Sequence, residues 1–183
     1  MRLESMIGLK RGMVNLLPYQ EDWPIVARET ILELKGVFGA VAIDIEHIGS
    51  TAIPSIHAKP IIDIVIGVKD LDDVFRFKDE LLSKGFAYRG EDVPGQLLFV
   101  KGDFENDTRT HHIHVVIWDG EEWKNYICFR DFLNEFPEKA RQYDRCKLKA
   151  ATMYPSDRKR YTAKKSRLVR CYIKEARVWK DNA

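Results

Sequence analysis

From Pro18 to Gly39 the chain reads PYQEDWPIVARETILELKGVFG, and Ile25, Ala27, Ile31, Leu32, Leu34 and Val37 recur at close to helical spacing. Pro24 suits a first turn and Gly36 and Gly39 suit a stop, so a first helix is predicted here. The period then shortens. AVAIDIEHIG, residues 40–49, alternates as a strand does and ends at a Gly-Ser turn, whereas PIIDIVIGV, residues 60–68, is apolar on both faces. The second run reads as an inner strand covered on both sides.

KDLDDVFRFKDELLSKG, residues 69–85, predicts a helix with Leu71, Val74, Phe75, Leu81 and Leu82 on one side and Lys84-Gly85 as its stop. Short strand candidates follow: FAYRG, QLLFVKGD and THHIHVVIW, separated by the turn-rich EDVPG and GDFENDTR. From Glu121 the pattern is helical again: EEWKNYICFRDFLNEF, then PEKARQYDRCKLKAATM opened by Pro137, then a long helix from about Asp157 to Trp179. The order predicts an α/β (α+β) fold, a mixed sheet with packed helices and a C-terminal helical extension. With 183 residues and no internal repeat or flexible linker, one domain over 1–183 is expected, its core at about 14–119 and its terminal helices at about 121–180.

Composition narrows the class. Apolar residues at 45% and charged residues at 32% are those of an ordinary globular chain. No apolar run approaches the length of a membrane span, and MRLESMIGLKRGM lacks the apolar centre of a secretory leader, so no membrane partner and a cytoplasmic location are expected. Cys128, Cys146 and Cys171 are odd in number and widely spaced, which suggests reduced thiols rather than a disulfide frame or a zinc knuckle. A net charge of +2 does not itself imply nucleic acid, although residues 139–180 are strongly basic. The aromatics there, including Tyr143, Tyr161 and Tyr172, fit helix packing better than a base-stacking platform, and a nucleic-acid partner is not expected.

Three features carry candidate chemistry. The turn at Gly49 and Ser50 offers unhindered N–H groups and a hydroxyl suited to phosphate, especially if a helix begins at Thr51 or Pro54. Asp63 sits among Ile61, Ile62, Ile64, Val65 and Ile66, where a carboxylate needs a partner: a metal or ligand site, or pairing with Lys59 or an arginine. His112 and His114, two of the five histidines, share one face of a strand and suit a metal or, when protonated, a phosphate. Arg130 and Lys164 are candidate holders of anionic groups if they face the same cleft.

HIGSTAIPSIHAKPIIDIVIGV, with THHIHVVIW, FRDFL and YTAKK after it, resembles the GrpB family of bacterial proteins, in the nucleotidyltransferase superfamily, from about Val14 to Trp179. The resemblance implies the polymerase-β-like nucleotidyltransferase fold and a nucleotide or phosphorylated small molecule as partner. It assigns Gly49 and Ser50 to phosphate and Asp63 to the first metal-binding acid, where the superfamily holds Mg²⁺ for nucleotidyl transfer. The second acid position is Val65. His112 and His114 would stand in for the third acid, and imidazole ligands shift the metal preference from Mg²⁺ toward Zn²⁺ or Mn²⁺. Two outcomes stay open: metal-dependent transfer with Asp63 as the catalytic acid, or a pocket that binds phosphates without turnover.

Overall fold

The computed structural model describes residues 7–182, apart from the side chain of Asp92. Residues 1–6 of the stretch read for a leader lie outside that range. In chain order the elements are β1 (Leu9–Lys10), α1 (Trp23–Phe38), β2 (Ala42–Ile48), β3 (Ile62–Val68), α2 (Lys78–Ser83), β4 (Ala87–Val93), β5 (Gln96–Lys101), β6 (Thr108–Arg109), β7 (His111–Ile117), α3 (Glu121–Glu135), α4 (Pro137–Met153) and α5 (Arg158–Asp181). The fold is therefore the mixed α/β arrangement expected from the pattern.

Five strands form one sheet in the order β2-β3-β7-β5-β4. β3 and β7 run parallel, and the other pairs are antiparallel. β3 lies inside the sheet, and Ile62, Ile64, Val65, Ile66 and Val68 are each fully buried. Each such aliphatic side chain contributes roughly 1.5–3 kcal/mol by leaving water, which together exceeds the several kcal/mol that a paired buried carboxylate costs. The strand can therefore carry Asp63 and still fold.

The two sheet faces have different partners. On one, Trp23, Ala27, Leu34 and Phe38 of α1 pack against Ile62, Ile64 and Ile66 of β3 and Ile113 and Val115 of β7. On the other, Val65, Val116 and Ile48 meet Trp123 of α3. Behind α3, a separate cluster of Ile53, Ile56, Phe132, Leu133, Tyr143, Tyr172 and Ala176 ties the terminal helices to the loop after β2. The tyrosines of the basic C-terminal third are thus largely packing residues, as expected.

Two details differ from the sequence reading. The segment predicted as one helix over 69–85 is a 3₁₀ stretch, Asp72–Phe77, followed by the short α2. Leu71, Val74 and Phe77 reach the core at spacings of three, the 3₁₀ period, and Leu81 follows at four. Phe75 and Leu82, predicted on the core side, are exposed as a result. Likewise Ile25 and Leu32 of α1 face outward, because Trp23, Ala27, Thr30, Leu34 and Phe38 define its buried stripe. Among the described residues no helix is long and apolar enough to cross a membrane.

Candidate functional site

β2 ends at Gly49, whose backbone (φ 72°, ψ −171°) lies in a region open essentially to glycine alone. The turn that follows is a single 3₁₀ turn, Ser50–Ala52, and no α-helix starts at Thr51 or Pro54. The helix-dipole contribution considered from the sequence is therefore missing, which leaves the turn's own polar groups. Thr51 is buried, and its hydroxyl meets His47 Nε2 at 2.9 Å, fixing the turn against β2. Burial lowers the His47 pKa to about 4.

The tight turn brings Gly49 against Asp63, one strand away. Asp63 lies level with Ile48 on β2 and His112 on β7, and Val65 lies level with His114. Same-face alternation then carries both imidazoles to the carboxylate: His112 Nδ1 is 3.1 Å and His114 Nε2 is 3.8 Å from the same Asp63 oxygen. His111 points to the other face, where it bonds the hydroxyls of Thr30 at 3.1 Å and Thr110 at 2.8 Å. Burial works to raise the Asp63 pKa, but the hydrogen bonds and charges of His112 and His114 outweigh it and hold the carboxyl well below the usual carboxylate range. Burial lowers the pKa of His112 despite its acidic neighbour. The His114 ring packs against Tyr126, tilted by 33° with ring centres 5.2 Å apart, and the Tyr126 hydroxyl bonds Gln96 at 2.7 Å.

These groups open onto a cavity of about 410 Å³ lined by Gly49, Ser50, Lys59, Asp63, His112, His114, Arg158 and Lys165, with Tyr126, Phe129, Tyr143 and Tyr161 as aromatic walls. Asp63 is the one carboxylate in the lining. Lys59 arrives on the loop between the Gly49 turn and β3. Burial, reinforced by Arg158 and Lys165, lowers its pKa to about 7 against the pull of Asp63. Lys165 hydrogen-bonds the Tyr143 hydroxyl at 3.4 Å and lies 5.2 Å from the Tyr161 ring centre. Burial lowers its pKa, but Tyr143 and Tyr161 more than offset this, and the net shift is upward.

The loop that carries Lys59 is itself anchored. Asp144 of α4 accepts from the backbone N–H of His57 at 2.7 Å and pairs with its ring nitrogen at 2.8 Å. The fully buried Lys147, on the next turn of α4, donates to the His57 carbonyl. Burial and the nearby Lys165 lower the Lys147 pKa to about 7. On the opposite edge Leu17 and Ala58 exchange backbone hydrogen bonds at 2.8 and 2.9 Å.

Gly49, Ser50, Asp63, His112 and His114 therefore converge on one cavity, and two other candidates lie elsewhere. Arg130 is taken up by Glu46 at 2.6 Å, by the His47 carbonyl at 3.0 Å and by Asp131 at 2.9 Å, so it fastens β2 to α3 outside the cavity lining. Lys164 is exposed, while its neighbour Lys165 faces the cavity. The stripe Tyr161, Leu168, Tyr172 and Ala176 is the buried side of α5, and Lys165 falls within it one turn after Tyr161. Spacing from Tyr161 was thus the signal that distinguishes the two lysines.

The donor set does not fit the three-acid metal site that the resemblance implies. Val65 is buried among Ile48, Val116 and Trp123, and both imidazoles lie against the same Asp63 oxygen. Among the described residues, no group of three or more His, Cys, Asp and Glu side chains is arranged to hold a metal ion.

The fold is that of the nucleotidyltransferases: Cid1 poly(U) polymerase with MgGTP bound, 11% identical, superposes over 74% of this chain and 44% of its own with a TM-score of 0.52. The chain matches the family described as GrpB protein over residues 13–175 and belongs to it. It is 38% identical to the glutamate-rich protein GrpB of Alkalihalophilus pseudofirmus, over 90% of this chain and 96% of that protein. It is 33% identical to YqkA of Bacillus subtilis over 91% of this chain, but spans only 48% of that longer protein. The crystal structure of GrpB from Enterococcus faecalis, 31% identical, matches 90% of this chain and 99% of its own with a TM-score of 0.83.

Proposed function

We propose that the cavity binds a phosphorylated small molecule, with a nucleotide as the first candidate, and holds its phosphates by direct contact with protein cations. One observation carries this reading: the single carboxylate of the cavity is engaged by His112 and His114, while Lys59, Lys165 and Arg158 surround the remaining space. Charge-assisted hydrogen bonds from such groups suit phosphate oxygens, and the Gly49-Ser50 turn adds an approach without a side chain in the way. The aromatic walls suit a base or another flat group.

A second reading, metal-dependent nucleotidyl transfer, is favoured by the place of Asp63 on the strand after the Gly-Ser turn. The two readings assign Asp63 opposite effects on a bound phosphate. In direct binding its negative charge opposes the ligand; in metal-dependent binding it holds the ion that the ligand needs. Calorimetric titration of nucleoside mono-, di- and triphosphates into wild type and Asp63→Asn, each in EDTA and in Mg²⁺ or Mn²⁺, separates them. Direct binding gives a dissociation constant that survives EDTA and is unchanged to about tenfold lower in Asp63→Asn. Binding that requires the metal and vanishes in Asp63→Asn overturns direct binding, and release of pyrophosphate from the bound triphosphate then establishes transfer.

A further inference from the structure

The histidine pair has a second open side. Beyond His112 and His114 lies another cavity, of about 320 Å³, lined by Arg11, Arg89, Arg109, Arg158, Leu98 and Val100. Its floor is the sheet: Leu98 and Val100 of β5 lie level with His114 and His112 of β7. The arginines arrive from four separate segments. Arg89 is on β4, Arg109 on β6, Arg158 opens α5, and Arg11 follows β1, where its N–H bonds the Asp107 carbonyl at 2.8 Å.

This convergence is unlike a solvated row of charges on one helix. Arg109 is buried, donates to the Thr108 carbonyl at 2.9 Å and pairs with Asp107 at 3.2 Å. Arg89 and Arg109 both lie against the Phe104 ring, at 5.0 and 4.9 Å from its centre. Among the described residues, Arg109 is the one of the four with a carboxylate at ion-pair distance, and the lining holds no carboxylate. Four guanidinium groups around one small concavity repel each other until an anion enters, and their planar forks match phosphate oxygens.

We propose that this arginine cavity is a second phosphate site, continuous with the first through His112, His114 and Arg158, so that the protein holds two phosphate groups on either side of the histidine pair. The inference rests on the reading of the first cavity as a phosphate site, and it extends it. The two groups belong to one ligand phosphorylated at both ends, or to a nucleotide and a separate phosphorylated molecule. The small volume, about 320 Å³, suits a phosphate or a sugar phosphate.

Inorganic phosphate is the probe, titrated by calorimetry at constant ionic strength into wild type, Lys165→Gln, and the double variant Arg11→Gln, Arg89→Gln. Both arginines are exposed, and thermal unfolding verifies that each variant is folded. Wild type is expected to bind two phosphates; the arginine variant loses one, its affinity falling about tenfold or more, and Lys165→Gln keeps that one and loses the other. Unchanged binding in the arginine variant overturns the inference. Loss in the arginine variant with no effect of Lys165→Gln overturns the reading of the first cavity and leaves the arginine site standing. Repeating the titration with saturating nucleoside triphosphate separates the sources: persistence of the arginine-dependent event means a second molecule, and its disappearance means that the nucleotide's own phosphate fills the site. A single-stranded oligonucleotide that binds the arginine cavity more tightly than phosphate overturns the small-molecule assignment.

Discussion

A Cβ atom built on Gly49 would stand 2.6 Å from Asp63 Oδ2 and 3.0 Å from Asp63 Cβ. Asp63 cannot swing aside cheaply, since its carboxylate is bonded to His112 and its Cβ is fixed to an inner strand. The left-handed backbone at Gly49 adds a second obstacle. Gly49→Ala is therefore expected to lose about 2–3 kcal/mol of stability from strain and displacement together, measured by urea unfolding, with weaker nucleotide binding in the folded fraction. Wild-type stability in this variant would mean that the turn can relax without moving Asp63.

Much of this geometry is legible in the sequence, for reasons that can be traced to particular residues. The run Ile61–Ile66 with one aspartate marked both the inner strand and its site, because burial makes an acidic side chain conspicuous. His112 and His114 were legible as a pair since strand alternation is strict. The arginine cavity is not, because Arg11, Arg89, Arg109 and Arg158 meet only through tertiary contacts, with Arg11 next to β1 and Arg109 within β6, strands too short to show a period. Arg130 illustrates the same limit: composition flags a cation, but only packing shows that Glu46 and Asp131 take it up.

His112 and Asp63 should be energetically coupled. Removing the imidazole leaves a carboxylate half-buried without its nearest donor, at a cost of about 1–3 kcal/mol. A double-mutant cycle of His112→Ala and Asp63→Asn should return a coupling of at least about 1 kcal/mol, since Asp63→Asn already relieves the charge that His112 stabilises. Strict additivity would show that the 3.1 Å contact contributes nothing to the folded state.

Ligand binding should draw in a proton at mildly alkaline pH. Lys59 is lowered to about 7 by burial and by the nearby cations Arg158 and Lys165, so at pH 8 it is largely neutral in the free protein. A phosphate entering the cavity favours the ammonium form and raises that pKa. At pH 8 phosphate esters, whose second ionisation lies near pH 6, are dianionic, so the proton comes to the protein. Calorimetry in buffers of different ionisation enthalpy should report uptake approaching one proton at pH 8, falling to about half by pH 7. The Lys59→Met variant should bind more weakly and show no uptake; an unchanged uptake in that variant would place the titration elsewhere.

Lys147 should make the fold more stable as the solution becomes alkaline. Its folded pKa, about 7, lies below the ordinary value of 10.5, so between these limits the unfolded chain binds more protons than the folded one. Stability then rises with pH across that window, by up to about 1.4 kcal/mol per pH unit for one such lysine. Lys147→Met removes this slope, while loss of the donor to the His57 carbonyl costs about 1 kcal/mol at every pH. Urea unfolding of both proteins at pH 7, 8 and 9 should show curves that diverge as pH rises; parallel curves would mean that Lys147 keeps its charge in the folded state.

In acid the histidines should act in the opposite part of the scale. Burial lowers His111 and His47 to about 4, against 6.5 for the ordinary side chain. Both are neutral in the folded protein at pH 5.5, where an unfolded histidine is already mostly charged. As pH falls from 6.5 to 4 the unfolded chain takes up protons that the folded chain refuses, so stability is full above that window and declines through it. Asp63, whose carboxyl is held well below the usual range, begins to matter only in stronger acid. His111 is the cleaner test, because it faces Thr30 and Thr110 on the sheet side away from the cavity. His111→Gln, which retains polar groups for the two threonines, should flatten the decline by up to about 1.4 kcal/mol per pH unit, read from urea midpoints at pH 7, 5.5 and 4.5. If the full decline persisted in His111→Gln, the acid sensitivity would have to arise from His47 or from His112, whose pKa values burial also lowers.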